Sequence, residues 1–295
     1  MVLSRPLKGW LSKAEHGTLG VRPNEYYIDP IVGCRAGCTY CYLQGSTIAQ
    51  SPMCFHVDLR DLSREIERLV ARLDSRDSVL LCTGESADSL AEVSLFPVGR
   101  ILVHLVASLG ESVRLELRTK SDAVRMLPQT GHGGRTTVSF SISPSPHVAR
   151  YEPGTISLSE RLLAARWCQD HQYPLGLNCE PLLLTENWQE YWTQTLVEIV
   201  DTIRPGQIDH ISIGCLRWNT ALGALPRFRA HHGGLMEHPA NIEYRPGQWN
   251  QTAPLHARLA AYRWLRMALR DCGIRAPLRW SMEETAVIEQ MDTNG

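Results

Sequence analysis

The chain has 295 residues, 43% hydrophobic and 21% charged, with a formal net charge of −1; this suits a globular chain that buries a large core, and implies no general polyanion-binding surface. The N-terminal stretch MVLSRPLKGWLSKAEHG lacks the apolar core of a signal peptide, and no apolar run approaches the roughly 20 residues that span a bilayer, so a cytoplasmic protein without membrane contact is expected. Positive charge is almost all arginine, and nine cysteines in a reducing compartment are expected as thiols or metal ligands rather than bridges.

Short β-rich runs alternate with helical patterns along the chain. Strands are predicted at 26–33, 77–84, 112–120, 136–143, 174–183 and 208–216, with helices at 58–74, 96–109, 121–127, 157–172 and 188–203. Such alternation implies parallel strands joined by helical crossovers, hence an α/β closed or partial barrel in one domain over 1–295. Leu59, Leu62, Ile66, Leu69 and Leu73 recur at the spacing of one buried helix face. Ser157 with Glu160 three residues on has the pattern of a reciprocal cap at a helix start. From 217 to 253 the pattern dissolves into a Gly-, Pro-, Asn- and His-rich segment, of the kind that is functional or mobile in a domain. A strong helix over 255–273 and a short strand at PLRWSME close the chain.

The stretch VGCRAGCTYCY places Cys34, Cys38 and Cys41 in C-x3-C-x2-C spacing, in a loop directly after the first predicted strand. A disulfide framework asks for an even number, and a structural zinc site for a fourth ligand, for which His56 is the candidate. Three thiolates on one tight loop instead suit three corners of a 4Fe-4S cluster, with the fourth iron left open. An open iron is what S-adenosylmethionine needs as a chelating ligand before reductive cleavage to a 5′-deoxyadenosyl radical, chemistry that belongs to the cofactors.

That spacing, with an aromatic before the last cysteine, resembles the signature of the radical S-adenosylmethionine superfamily. In order and spacing CTYCYLQ, LLCTGES, LRTKSD, FSIS and YEPGTISLSERLLAARWCQDHQYPLGLNCEPLL are similar to the spore photoproduct lyase family, over roughly residues 26 to 216. The resemblance implies a partial (β/α)6 TIM-type barrel with the cluster at the carboxyl ends of the strands and a C-terminal lid segment and helix over 217–295. It places Cys82 where the lyase carries the thiol that returns hydrogen to the substrate radical, and Tyr40 and Tyr42 where tyrosines either relay that hydrogen or pack beside the cluster. Gly84 and Glu85 resemble the loop that holds the methionyl amino group, although the lyase has a different residue at the acid. Lys120, Ser141 and Ser143 match polar positions for the cofactor carboxylate and ribose, and Asn178 and Glu180 are expected to face the pocket.

Three features speak for a substrate smaller than DNA: few residues before the first cysteine, a neutral charge balance, and no basic hairpin after the sixth strand. The expectation is therefore an epimerase resembling the lyase-like enzymes of nucleoside-antibiotic pathways, such as that of albomycin. It would act on the sugar of a small nucleoside or nucleotide, with Cys82 returning hydrogen, an electron donor such as flavodoxin or ferredoxin, and duplex DNA an unlikely partner. Two alternatives stand beside it, sulfur insertion from an auxiliary iron-sulfur cluster and lyase-type DNA repair. Substrate contacts are expected from Arg217, Arg227, Arg229, His231 and Tyr244 in the lid, groups suited to phosphate and base.

Overall fold

Two-residue alternation along the central strands decides the architecture, because it puts apolar and polar side chains on opposite faces. The computed structural model describes residues 2–4, 6, 9–13, 24–74, 77–235, 242–244 and 251–292. Its strands are β1 (Val2–Ser4), β2 (Ser12–Lys13), β3 (Glu25–Tyr27), β4 (Ile31–Val32), β5 (Cys54–His56), β6 (Val79–Cys82), β7 (Val113–Thr119), β8 (Thr136–Ser141), β9 (Leu175–Leu182), β10 (Ile208–Cys215), β11 (Arg217–Trp218), β12 (Glu243–Tyr244), β13 (Gln251–Thr252) and β14 (Leu278–Trp280). Its α-helices are α1 (Leu59–Val70), α2 (Val98–Ser108), α3 (Ser145–Tyr151), α4 (Leu158–Asp170), α5 (Trp188–Thr202), α6 (Thr220–Ala224), α7 (Pro226–His232), α8 (Leu255–Asp271) and α9 (Thr285–Asp292).

The main sheet runs β14-β10-β9-β8-β7-β6-β3-β2. Every neighbouring pair in it is parallel except β2 with β3. The six strands β3 and β6 to β10 are those of the expected partial barrel, and β14 extends it past β10. In β7, Val113, Leu115 and Leu117 are buried in the core shared with the helices, whereas Glu116 and Arg118 take the other face. Cross-strand register carries that second face across the sheet: Tyr27 pairs with Cys82 and Cys82 with Glu116. Arg118 pairs with Ser139, Ser139 with Gly176 and Gly176 with His210. One layer further, Ser141 pairs with Asn178, Asn178 with Ser212 and Ser212 with Arg279. The concave face is thus polar, unlike the branched-aliphatic filling of a closed TIM barrel.

The helices cover the other face. Leu62 and Ile66 of α1 are fully buried, with Leu59, Leu69 and Leu73 half-buried at the edge of the same stripe. Each of the two buried side chains contributes about 1.5–3 kcal/mol of transfer free energy.

The predicted strand over 26–33 is two strands in different sheets. β3 belongs to the main sheet, and β4 pairs with β5, which also pairs with β1; Pro30 between them has no amide hydrogen for a ladder. The predicted helix over 121–127 is a short 3-10 turn, Ala123–Met126. The segment expected to be irregular from 217 carries α6, α7 and a small antiparallel sheet of β11, β13 and β12. Among the described residues no helix is long and apolar enough to cross a membrane.

The reciprocal cap is present. Ser157 Oγ accepts from the Glu160 amide at 3.3 Å, and Glu160 Oε2 accepts from the Ser157 amide at 2.8 Å. Ser157→Ala is expected to lower unfolding free energy by about 1 kcal/mol, measured by chemical denaturation, with an unchanged slope against denaturant.

Candidate active site

The cysteine loop leaves β4 and is fastened from several sides. The Gly33 amide donates to Ser86 O at 2.9 Å, and the Tyr42 hydroxyl donates to Glu85 O, so the loop is tied to the turn that follows β6. In that turn Gly84 has φ of +95°, and a Cβ there would lie 2.7 Å from Arg118 Cβ; both facts demand glycine. On its far side the Thr39 amide donates to Tyr151 O at 2.8 Å. The Gly154 amide donates to Ala36 O at 2.9 Å, and a Cβ on Gly154 would sit 2.5 Å from that oxygen. The YEPGT turn is therefore a backbone clamp on the cysteine loop.

Within that clamp Glu152 is 1% exposed. The Tyr40 hydroxyl donates to its Oε1, Ser143 Oγ donates to the same oxygen at 2.8 Å, and Arg161 Nη2 pairs with Oε2 at 2.5 Å. Burial pushes the Glu152 carboxyl up, but Lys120 and Arg161 with the hydrogen bonds from Tyr40 and Arg161 outweigh it and hold it below its ordinary value. Arg161 also donates to Ser141 O at 2.9 Å. Asp88 accepts from the Lys120 amide at 2.6 Å and from Thr119 Oγ1 at 2.7 Å, fixing where Lys120 leaves β7. Glu152, Arg161 and Asp88 carry no signal of such a role in the sequence. Serine spacing marked Ser157 as a cap, but nothing marks a lone acid in a turn as a buried hub.

Of the three thiols, Cys38 is buried, and Cys34 and Cys41 are half-buried. Burial pushes the Cys38 thiol up to about 12 and raises Cys41 as well; ligation to a metal would be needed to hold either as a thiolate. Among the described residues no three His, Cys, Asp or Glu side chains converge on one metal-ion position. His56, the fourth ligand a zinc knuckle would need, is turned to Ser4 Oγ at 3.0 Å and to the edge of Trp10.

Cys82 lies on the polar face, 1% exposed, in a small cluster with Tyr27 and Leu80. Asn178 is buried on that face and Glu180 is half-buried. Three buried polar atoms there, Arg118 Nη2, Ser139 Oγ and Ser212 Oγ, have no hydrogen-bond partner among the described residues. Buried donors of this kind call for a bound molecule, and together with the three thiols they fit a cluster and a polar cofactor.

The lid residues have defined places. Arg227 Nη2 donates to Gly37 O at 2.7 Å and Arg229 Nε to Gly223 O at 3.0 Å. Arg217 pairs with buried Glu283 at 3.0 Å, beneath Arg258 and Tyr262. His231 lies edge-on to Tyr151, and the Tyr244 side chain is outside the described residues. His232 Nε2 meets Thr39 Oγ1 at 3.0 Å. With Trp218, Leu222 and Phe228 packed beside Cys38 and Tyr40 in one apolar cluster, this segment roofs the cysteine loop.

The spore photoproduct lyase family model matches residues 20–221. The spore photoproduct lyase of Bacillus subtilis (strain 168) is 27% identical over 189 residues, 63% of this chain and 54% of that protein. That of Geobacillus sp. (strain Y412MC61) is 27% identical over 177 residues, 59% and 51%. The chain spans about half the length of the curated relatives it matches. A solved spore photoproduct lyase complexed with dinucleoside spore photoproduct superposes with a TM-score of 0.82 at 18% identity, over 95% of this chain and 82% of that one. AdoMet-bound anSMEcpe superposes with a TM-score of 0.53 at 13% identity, over 87% and 64%. At such identities these two report the fold, the partial barrel of the radical S-adenosylmethionine enzymes.

These findings overturn the expected nucleoside epimerase with a small-molecule substrate and no duplex DNA: the matched family and both relatives are spore photoproduct lyases. Net charge is a sum over the whole chain and does not show which charges are free. Many acids here are paired with arginines, as in Arg166 and Arg204 on Asp170 or Arg258 on Glu243 and Glu283. Beside the cysteine loop, by contrast, Arg150, Arg227 and His231 have no carboxylate partner among the described residues.

Two outcomes follow for the clamp and the roof. Gly154→Ala is expected to retain the circular dichroism of the parent yet take up roughly half the iron or less on anaerobic reconstitution, because backbone meets the new methyl. His147 and His232 are both buried, and burial lowers each to about 4. Their unfolded forms take up protons first as pH falls from about 6.5, so stability is complete above that pH and declines toward pH 4, on the order of 2 kcal/mol for each histidine. Denaturant midpoints measured across pH 7 to 4 check the sign.

Proposed function

The chain belongs to the spore photoproduct lyase family, and from that premise we propose that it is a radical S-adenosylmethionine enzyme that cleaves a spore-photoproduct-type lesion between nucleosides of DNA. The observation that carries the reading is the Cys82 thiol, buried on the polar face at the end of the strand that leads into the turn holding the cysteine loop. Cys34, Cys38 and Cys41 would ligate three irons of a 4Fe-4S cluster. Gly84, Glu85, Lys120, Ser141, Asn178 and Glu180 would line the groove for S-adenosylmethionine, with the Lys120 ammonium suited to its carboxylate. When bound, the two supply a 5′-deoxyadenosyl radical, the species that removes a hydrogen atom from the lesion.

The protein's own residues do the rest. Cys82 returns hydrogen to the carbon radical left after the lesion bond breaks: the S–H bond is broken, a C–H bond forms and the sulfur is left as a thiyl. Tyr40 and Tyr42 already donate their phenol hydrogens to Glu152 and to Glu85 O, which supports a role in fixing the loop. The roof of α6 and α7 keeps water and stray hydrogen donors from the radical. Arg150, Arg227 and His231 suit the phosphates flanking a lesion.

Reduced, reconstituted protein with S-adenosylmethionine is expected to convert dinucleoside spore photoproduct, and the same lesion in an oligonucleotide, to the undamaged nucleosides, read by liquid chromatography and mass spectrometry. Release of 5′-deoxyadenosine with neither lesion consumed would sink the proposal. Cys82→Ala should still release 5′-deoxyadenosine while correctly repaired product falls at least about tenfold.

A further inference from the structure

Cys82 sits against a buried ionic group for which hydrogen return alone gives no reason. Its Sγ is 4.0 Å from Glu116 Oε2, and the two residues are register partners on β6 and β7. Glu116 is 1% exposed and is surrounded by basic groups from three strands. Arg118 Nε lies 3.2 Å from its Oε1, His210 Nε2 3.6 Å from the same oxygen, and Arg279 Nη1 3.6 Å from Oε2. From β3, Tyr27 is the register partner of Cys82, and Glu25 acts on the thiol by its charge. Glu180 of β9 acts in the same way on Arg118. Without Glu116 the charges acting on the thiol would be those of Arg118 and Arg279 against Glu25 alone, a net electropositive setting of the kind that lowers a cysteine toward its thiolate.

A thiolate has no hydrogen atom to give. We infer that Glu116 is a positioning residue that keeps Cys82 a neutral thiol, by cancelling the attraction of Arg118 and Arg279 for a negative sulfur. The inference rests on the reading of Cys82 as hydrogen donor. Burial first, and then the charge of Glu116, hold the Cys82 thiol well above its ordinary range against Arg118. Burial pushes Glu116 up in turn, but Arg118 and His210 outweigh it and keep the carboxyl ionised. The carboxylate is therefore present as a fixed negative charge at every pH at which the enzyme would work.

The test measures alkylation of Cys82 by iodoacetamide between pH 6 and 10 in the full-length reconstituted protein without S-adenosylmethionine, quantified on the Cys82 peptide by mass spectrometry. Glu116→Gln keeps the shape and removes the charge. It is expected to raise the rate at pH 8 about tenfold or more and to move the pH profile down by about one unit or more, since a unit of pKa is tenfold in thiolate below the midpoint. Glu116→Asp, which keeps the charge, should stay within about threefold of the parent, and adding Arg118→Gln to Glu116→Gln should return the profile toward it. Arg118→Gln alone should move the profile the other way, which keeps the test decisive if Glu116→Gln does not fold. An unchanged profile in folded Glu116→Gln, a rise that adding Arg118→Gln does not reverse and that therefore reports only access, or a downward shift in Arg118→Gln would each overturn the inference. Normal repair by Cys82→Ala would instead remove the donor reading while leaving the alkylation result standing; an unchanged alkylation profile beside a repair-deficient Cys82→Ala would remove this inference alone.

Discussion

One carboxylate sealed from water, that of Glu152, joins the parts of the candidate site. A buried ion must be paired, and removing one partner leaves a charge that water cannot reach. Here the partners come from separate places in the chain: Tyr40 from the cysteine loop, Ser143 from the end of β8, Arg161 from α4, and the nearby charge of Lys120 from the end of β7. None of them can shift without weakening the hold of the others. The loop that carries the three thiols is thereby locked to the barrel frame by polar bonds in addition to apolar packing.

The concave face shows the same logic on a larger scale. A polar lumen forgoes much of the hydrophobic stabilisation that a filled barrel would enjoy, and the helices on the convex side must carry the core alone. In exchange the strands present Glu116, Arg118, Asn178, Ser212 and Arg279 inward, already oriented by the sheet. Groups on strands lose little freedom when they engage a ligand, which is why a site on rigid elements holds its geometry better than one on loops.

Much of this was legible in the sequence. The central strands and the main helices were readable because alternation, helical periodicity and turn residues agree there, and the cysteine motif was readable because its spacing is short and local. What escaped depends on distance in the chain. Glu152 meets Tyr40 across 112 positions, and Arg161 looks like one more polar residue on a surface helix although it is fully buried. The break at Pro30 was misread because the residues on both sides of it favour strand. Helix α3 was missed because it is short and begins around Pro146. The segment after 217 looked irregular since its order comes from packing on the cysteine loop, not from its own periodicity. Net charge misled on the partner because it says nothing of which charges are already paired.

The contact between Gly154 and Ala36 has a bearing on descent. Two backbones touch there without a side chain between them, so no rotamer change on either side can absorb an added methyl. A lineage that replaced Gly154 would first have had to re-route the loop between Cys34 and Cys38, and a lineage that lengthened that loop would have been released from the glycine. The glycine and the loop spacing are therefore expected to change together or not at all.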